Sequence, residues 1–199
     1  MDRGFTAPLC PFNFSGMQTA PSVQQPVLMA SDSPLRLKAQ RLGLHGPAEW
    51  KDEAVARGCF HYLQGRTPPQ QRVTEEAFSN EELALVLLGT ANAHDPWLVR
   101  LGAMLLGAET NDPKRIARLA TDEDCTPAVR AIAEAATRYE PELQFWSTLL
   151  AELPPGTPPP GVMPHHSRYV SLPGLIAPRT QGKAVWLRPQ KVKALGYAG

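Results

Sequence analysis

An all-α protein, a stack of short antiparallel helical hairpins forming a solenoid-like array or an irregular bundle, is the fold class this sequence predicts. Three observations point there. Helix-start signals recur as Ser79-Asn80-Glu81-Glu82, Asp95-Pro96, Asp112-Pro113, Thr126-Pro127 and Glu140-Pro141. The starts they set, at 79, 95, 112, 126 and 141, differ by 16, 17, 14 and 15 residues, room for one short helix and its turn each time. The segments between them carry apolar residues at helical spacing. The signals have a physical basis: an N-cap side chain accepts a bond from an otherwise unpaired amide, and proline at the first helical position has no amide to leave unpaired.

The 199 residues fit one domain with flanking segments. Residues 1–32 are expected to be an irregular or disordered leader, because they offer little periodic apolar surface to bury and are interrupted at Pro8, Pro11, Pro21 and Pro26. They lack the basic start and continuous apolar stretch of an export signal, and Met17 is a second candidate start. The helical domain is expected over 33–153. Ser33-Pro34 opens a first helix with Leu35, Leu42 and Leu44 as apolar contacts and Gly43 as its left-handed stop. A second is expected from Pro47 to Gln64, burying Val55, Cys59, Tyr62 and Leu63 and exposing Glu49, Lys51, Asp52 and Glu53 near its start. Thr67-Pro68-Pro69 then form a loop.

The regular array follows, over 79–153. Ser79 with Glu82 makes a capping box, and the run Leu83-Ala84-Leu85-Val86-Leu87-Leu88 is apolar on every face, so this helix is expected to be central. Pro96 to Gly107 places Leu98, Leu101, Gly102, Leu105 and Leu106 on one face. Pro113 to Thr121 buries Ile116, Leu119 and Ala120 and shows Lys114, Arg115 and Arg118. Pro127 to Tyr139 buries Val129, Ile132, Ala133 and Ala136, with Arg130, Glu134 and Arg138 four apart on the far side. Pro141 to Leu153 turns Leu143, Trp146, Leu150 and Leu153 inward. Two helices with their turns span about 29 to 33 residues, the range of helix-pair repeats. On that spacing 79–153 resembles HEAT- or tetratricopeptide-type α-helical repeats. The resemblance is one of architecture; the tetratricopeptide Trp, Gly and Tyr positions do not align, so it carries no functional residue over.

After Leu153 the composition changes. Five prolines between 154 and 160 predict a stiff linker over 154–167. From 153 onward there is no Asp or Glu, and Arg168, Arg179, Lys183, Arg188, Lys191 and Lys193 give a basic tail over 168–199. Residues 35–152 hold 13 basic and 17 acidic side chains, so a chain of net charge +1 conceals an acidic body and a basic end. Arg168–Leu172 and Lys183–Arg188 are rich in β-formers and predict short strands, as a small β-hairpin or laid on the helices, with Pro173, Pro178 and Pro189 confining them to edges.

Reactive side chains give no convincing catalytic, cofactor or metal site. Cys10, Cys59 and Cys125 are an odd, scattered set, as expected of reduced thiols in a cytoplasmic protein. Cys59 and His61 point in different directions on a helix. Cys125 stands at a helix N-terminus, a position that lowers a thiol pKa. Either cysteine would have to carry an enzymatic reading. His165-His166 lacks a third ligand nearby. Glu75-Glu76 and Glu81-Glu82 suit a helix start, and Asp122-Glu123-Asp124 lacks the ligand spacing of a cation loop. No apolar run reaches the roughly 18 residues of a membrane span.

The sequence therefore predicts a non-enzymatic helical interaction or scaffold module without cofactor, binding a protein partner through Arg115, Arg118, Arg130 and Arg138. The basic tail is its second contact. The alternative is a nucleic-acid- or ribosome-associated factor acting through Arg168, Tyr169, Arg179, Lys183, Trp186, Arg188, Lys191 and Lys193, where Tyr169 and Trp186 would stack on bases.

Overall fold

A computed structural model describes residues 33–60, 67, 69–92, 95–156, 170–171 and 185–190, all within one unit, Ser31–Gly199. The expectations for 1–32, for Tyr62 and Leu63 and for 157–167 lie outside the described residues. The fold is all-α. Its helices are α1 (Pro34–Arg41), α2 (Pro47–Ala56), α3 (Asn80–Leu88), α4 (Pro96–Leu106), α5 (Pro113–Asp122), α6 (Thr126–Tyr139) and α7 (Gln144–Glu152).

Most starts form where the caps stand. Ser33, Ser79, Asp95 and Asp112 each accept amide bonds in the first turn of the helix they precede, and Ser79 with Glu82 completes the reciprocal capping box. Two starts differ. Cys125, not Thr126, caps α6, because the link from α5 is so short that Cys125 still closes the preceding helix. Helix α7 begins at Gln144 rather than Pro141. Glu140 instead ends α6, and its carboxylate is drawn inside as a buried acceptor.

Three stops share one construction. In α1 the Leu44 amide reaches back to the Ala39 carbonyl over Gly43, at φ +84°. In α2 the Cys59 amide reaches Ala54 over Gly58, at φ +118°. In α5 the Cys125 amide reaches Ala120 over Asp124, at φ +52°. Each left-handed residue satisfies terminal carbonyls, and each apolar residue after it is buried against a buried alanine one turn back. Helix α2 therefore stops at Ala56, eight residues before Gln64. Periodicity continues through Cys59, but Gly58 turns the backbone out of the helix.

The core runs through α3, all nine of whose residues are buried. It packs along α4 and also touches α1, α2 and α5, while α5 and α6 both pack on α7. The principal packing pairs are thus neighbours or next neighbours in sequence, as in a stack of hairpins. Burying each leucine of α3 is worth about 1.5–3 kcal/mol. Helices α3 and α4 approach closely because position 102 is glycine; a Cβ there would stand 2.7 Å from Leu88 Cγ and 3.1 Å from the Ala84 carbonyl.

Charge is also taken inside. Glu53, expected at the surface, is buried with Arg57 in an ion pair of 2.8 Å in which both side chains are wholly shielded from solvent. Arg57 donates further to the carbonyls of Phe78 and Val73 and to Asn80 Oδ1, and Glu53 accepts from the Arg72 amide. This pair fastens the loop 69–79 across α2. Beyond the helices, β1 (Val170–Ser171) pairs antiparallel with β2 (Val185–Trp186), Val170 opposite Trp186.

Candidate interaction surface

The outer side of α5 is set by a steep division of its sequence. Ile116, Ala117 and Ala120 face the core, leaving Lys114, Arg115 and Arg118 toward solvent. Arg115 does not stay free. Its guanidinium lies 2.5 Å from Glu81 and 3.5 Å from Glu82, while Glu81 accepts the Asp112 amide at 2.7 Å and Glu82 accepts Lys38 at 2.7 Å. The two first-turn acids of α3 thereby tie α1 and α5 to the central helix. Arg130 is likewise committed, pairing with Glu134 at 3.0 Å and donating to the Leu153 carbonyl at 3.2 Å.

The remaining two candidates stand differently. Arg118 and Arg138 are exposed, and neither side chain has an ion-pair or hydrogen-bond partner among the described residues. The same holds for the Lys114 ammonium. Glu134, one turn before Arg138, is already held by Arg130. Lys114 and Arg118 are four apart on one helix, so two like charges share one strip of surface, an arrangement that costs a few tenths of a kcal/mol without a counter-charge. Sequence reasoning named Arg118 and Arg138 for this surface and showed Lys114 only as a solvated neighbour.

Where it can be seen, the tail lies on the helices, one of the two arrangements expected for its strands, and this removes two of the residues expected to bind a polyanion. Arg168, Tyr169, Arg179, Lys183, Lys191 and Lys193 lie outside the described residues, or their side chains do. Trp186 and Arg188 are inside the protein. Trp186 is 0 % exposed, its ring 5.6 Å from that of Trp146 and 6.4 Å from that of Tyr139. It is therefore not available to stack on a base. Arg188 is buried and paired with Glu140, which also accepts the Trp146 indole N–H at 2.8 Å. A single buried carboxylate thus orients one aromatic ring of α7 and holds one cation of the tail.

Two glycines shape the cleft that receives this segment. A Cβ on Gly58 would lie 2.9 Å from Pro189 Cβ, and one on Gly107 would lie 3.1 Å from Arg188 Cγ and 3.3 Å from Trp146 Cζ2. Trp186-Leu187 amid β-formers was the one sequence signal for burial. Nothing in the sequence marked Gly58 or Gly107 as its seat, since contacts so distant along the chain leave no local pattern.

The two described cysteines are buried and free. Burial pushes the Cys59 thiol far above its usual range. Cys125 is pushed up to about 12, first by burial and then by the carboxylates of Glu123 and Asp124. The activation expected from a helix N-terminus is outweighed, since Cys125 packs inward as the apolar residue of the α5 stop. Glu123, read as part of a solvated turn, is buried and accepts the Leu35 amide at 2.9 Å, tying α1 to the end of α5. Among the described residues no cluster of three His, Cys, Asp or Glu side chains has the geometry to hold a metal ion. No helix among them is long and apolar enough to cross a membrane.

Comparison with protein-family models, with curated proteins and with solved structures finds no match to this chain.

Proposed function

We propose that this chain is a non-enzymatic helical interaction module that binds an acidic protein surface through the outer side of α5, with Lys114 and Arg118, and through Arg138 at the end of α6. The observation that carries the reading is the paired exposure of Lys114 and Arg118. A body with more carboxylates than cations leaves two like charges one turn apart without a partner among the described residues. Arg115, between them in sequence, takes two carboxylates. An acidic partner would supply the missing counter-charge and gain from it in a partly desolvated contact. The basic tail remains the second contact in this reading, but through cations other than Arg188, whose guanidinium is engaged with Glu140.

The test is capture of partners from native lysate by the full chain and by the variant Lys114→Glu/Arg118→Glu, whose helical content is checked by circular dichroism. Both substitutions lie on an exposed face, so the fold is expected to persist. The reading expects the captured protein to be lost on charge reversal and to weaken with rising salt. Equal capture by both chains would sink it. So would capture abolished by nuclease, which would make the partner a nucleic acid.

A further inference from the structure

The contacts around Trp186–Pro189 describe a segment seated in a cleft. The segment meets Trp146 and Tyr139 through Trp186, Gly107 and Glu140 through Arg188, and Gly58 through Pro189. Each feature answers one residue of the occupant. Trp186 lies edge-on to Trp146, at an interplanar angle of 69°. Arg188 pairs with Glu140 and runs its aliphatic stem over Gly107. Pro189 rests on the bare backbone of Gly58. Removal of the segment would take the Arg188 guanidinium away from the buried Glu140 carboxylate and uncover a tryptophan face, a costly exposure.

The segment is joined to the helices from afar. Between Gly156 and Val185 there are 28 residues of chain. It is also imperfectly accommodated: Arg188 Nε and Gln190 Oε1 are buried without a hydrogen-bond partner among the described residues. Unpaired buried polar atoms oppose the docked state and favour release.

We propose that this cleft is a peptide-docking site for an aromatic-aliphatic-Arg-Pro sequence, occupied here by the chain's own Trp186-Leu187-Arg188-Pro189, which acts as a displaceable built-in ligand. The proposal is independent of the α5 surface. Because the segment belongs to the same chain, its docking is intramolecular, and a peptide in solution meets a strong competitor in the intact protein. Weakening the internal segment removes that competitor.

The probe is a fluorescein-labelled peptide of residues 183–192, titrated by fluorescence anisotropy into the full-length chain and into full-length Arg188→Glu. Glutamate beside Glu140 repels the internal segment but leaves the cleft itself intact. The variant is expected to bind the peptide saturably and at least about thirtyfold more tightly than the unaltered chain. The same peptide with Glu in place of its Arg is expected not to bind the variant. Absence of saturable binding to a variant that keeps its helical circular dichroism would overturn the proposal. If Arg188→Glu loses that signal, a second measurement decides. In full-length Leu187→Cys, labelling followed by mass spectrometry is expected to modify position 187 at least about a hundredfold faster than Cys125, because the segment leaves its cleft while the helices stay folded. Equal, slow labelling of both positions would make the segment an inseparable part of the core and end the proposal.

Discussion

The amide of Cys125 donates to the carbonyl of Ala120 at 3.0 Å, closing α5 over Asp124, whose φ of +52° is left-handed. At the equivalent place α1 and α2 use glycine, at Gly43 and Gly58. An L side chain in that region costs roughly 1–2 kcal/mol, less for aspartate, whose short side chain tolerates it. Asp124→Gly is therefore expected to raise stability by about 0.5 kcal/mol, read as a higher urea midpoint at unchanged slope. A lowered midpoint would show that the Asp124 side chain contributes more than its backbone costs.

The two glycine stops are expected to respond unequally to alanine. At Gly43 nothing lies within 4 Å of the added methyl group, so only the backbone penalty of roughly 1 kcal/mol applies. At Gly58 the methyl group meets Pro189 at 2.9 Å in addition to the φ of +118°. Gly58→Ala is expected to cost at least about 2 kcal/mol more than Gly43→Ala by equilibrium denaturation. Equal losses would mean that Pro189 yields freely.

Alkaline pH provides a third test. The Cys125 thiol has a pKa of about 12 in the folded chain against 9.0 for an ordinary thiol, chiefly because burial disfavours the thiolate. Its native pKa is raised, so the unfolded chain loses this proton first as pH climbs. The associated stability is fully present below pH 9 and declines between 9 and 12. Replacing Cys125 with alanine is expected to make that decline shallower, Cys59 supplying a similar slope of its own, while lowering stability at pH 7. Thiol labelling of Cys125 at pH 8 is expected to be slow in the native protein and fast in denaturant; rapid native labelling would contradict the placement.

Removing one half of the buried ion pair is the most damaging substitution expected. Arg57→Met leaves the Glu53 carboxylate in the interior without its partner and frees the carbonyls of Val73 and Phe78, a loss of about 3–5 kcal/mol. The double variant Glu53→Gln/Arg57→Met is expected to lose less than Arg57→Met alone, because no uncompensated charge remains. A denaturation cycle over the four proteins measures the coupling; additive losses would deny that the two residues act as a unit.

Local signals made much of the helical array legible. Ser79, Asp95 and Asp112 cap the helices they precede, since a cap depends on residues within one turn. The uniformly apolar stretch Leu83–Leu88 gave the central helix, because a helix without a polar face has no side to show to water. Reading failed where one local signal competed with another. Gly43 is legible as a stop, whereas Gly58 is hidden by the apolar stripe that continues through Cys59. Glu140-Pro141 looked like a further start, yet the carboxylate finds stronger partners in Trp146 and Arg188.

The candidate surface divides in the same way. Helical phase placed Arg115, Arg118, Arg130 and Arg138 outside the core, but could not say which would find a carboxylate. That depended on Glu81, Glu82 and Glu134 as the folded chain presents them. The tail shows the limit most clearly: its charge suited a free basic end and equally one laid along the acidic body, and the choice rests on Glu140, which holds Arg188 inside.

By itself the sequence determined the all-α class, the central helix and most helix starts, since periodicity and capping act over three or four neighbours. Only the tertiary structure decided which charges are buried, which cations remain at the surface and where the Trp186–Pro189 segment lies. Those outcomes depend on desolvation and on partners dozens of residues away, such as Glu140 for Arg188 and Gly58 for Pro189.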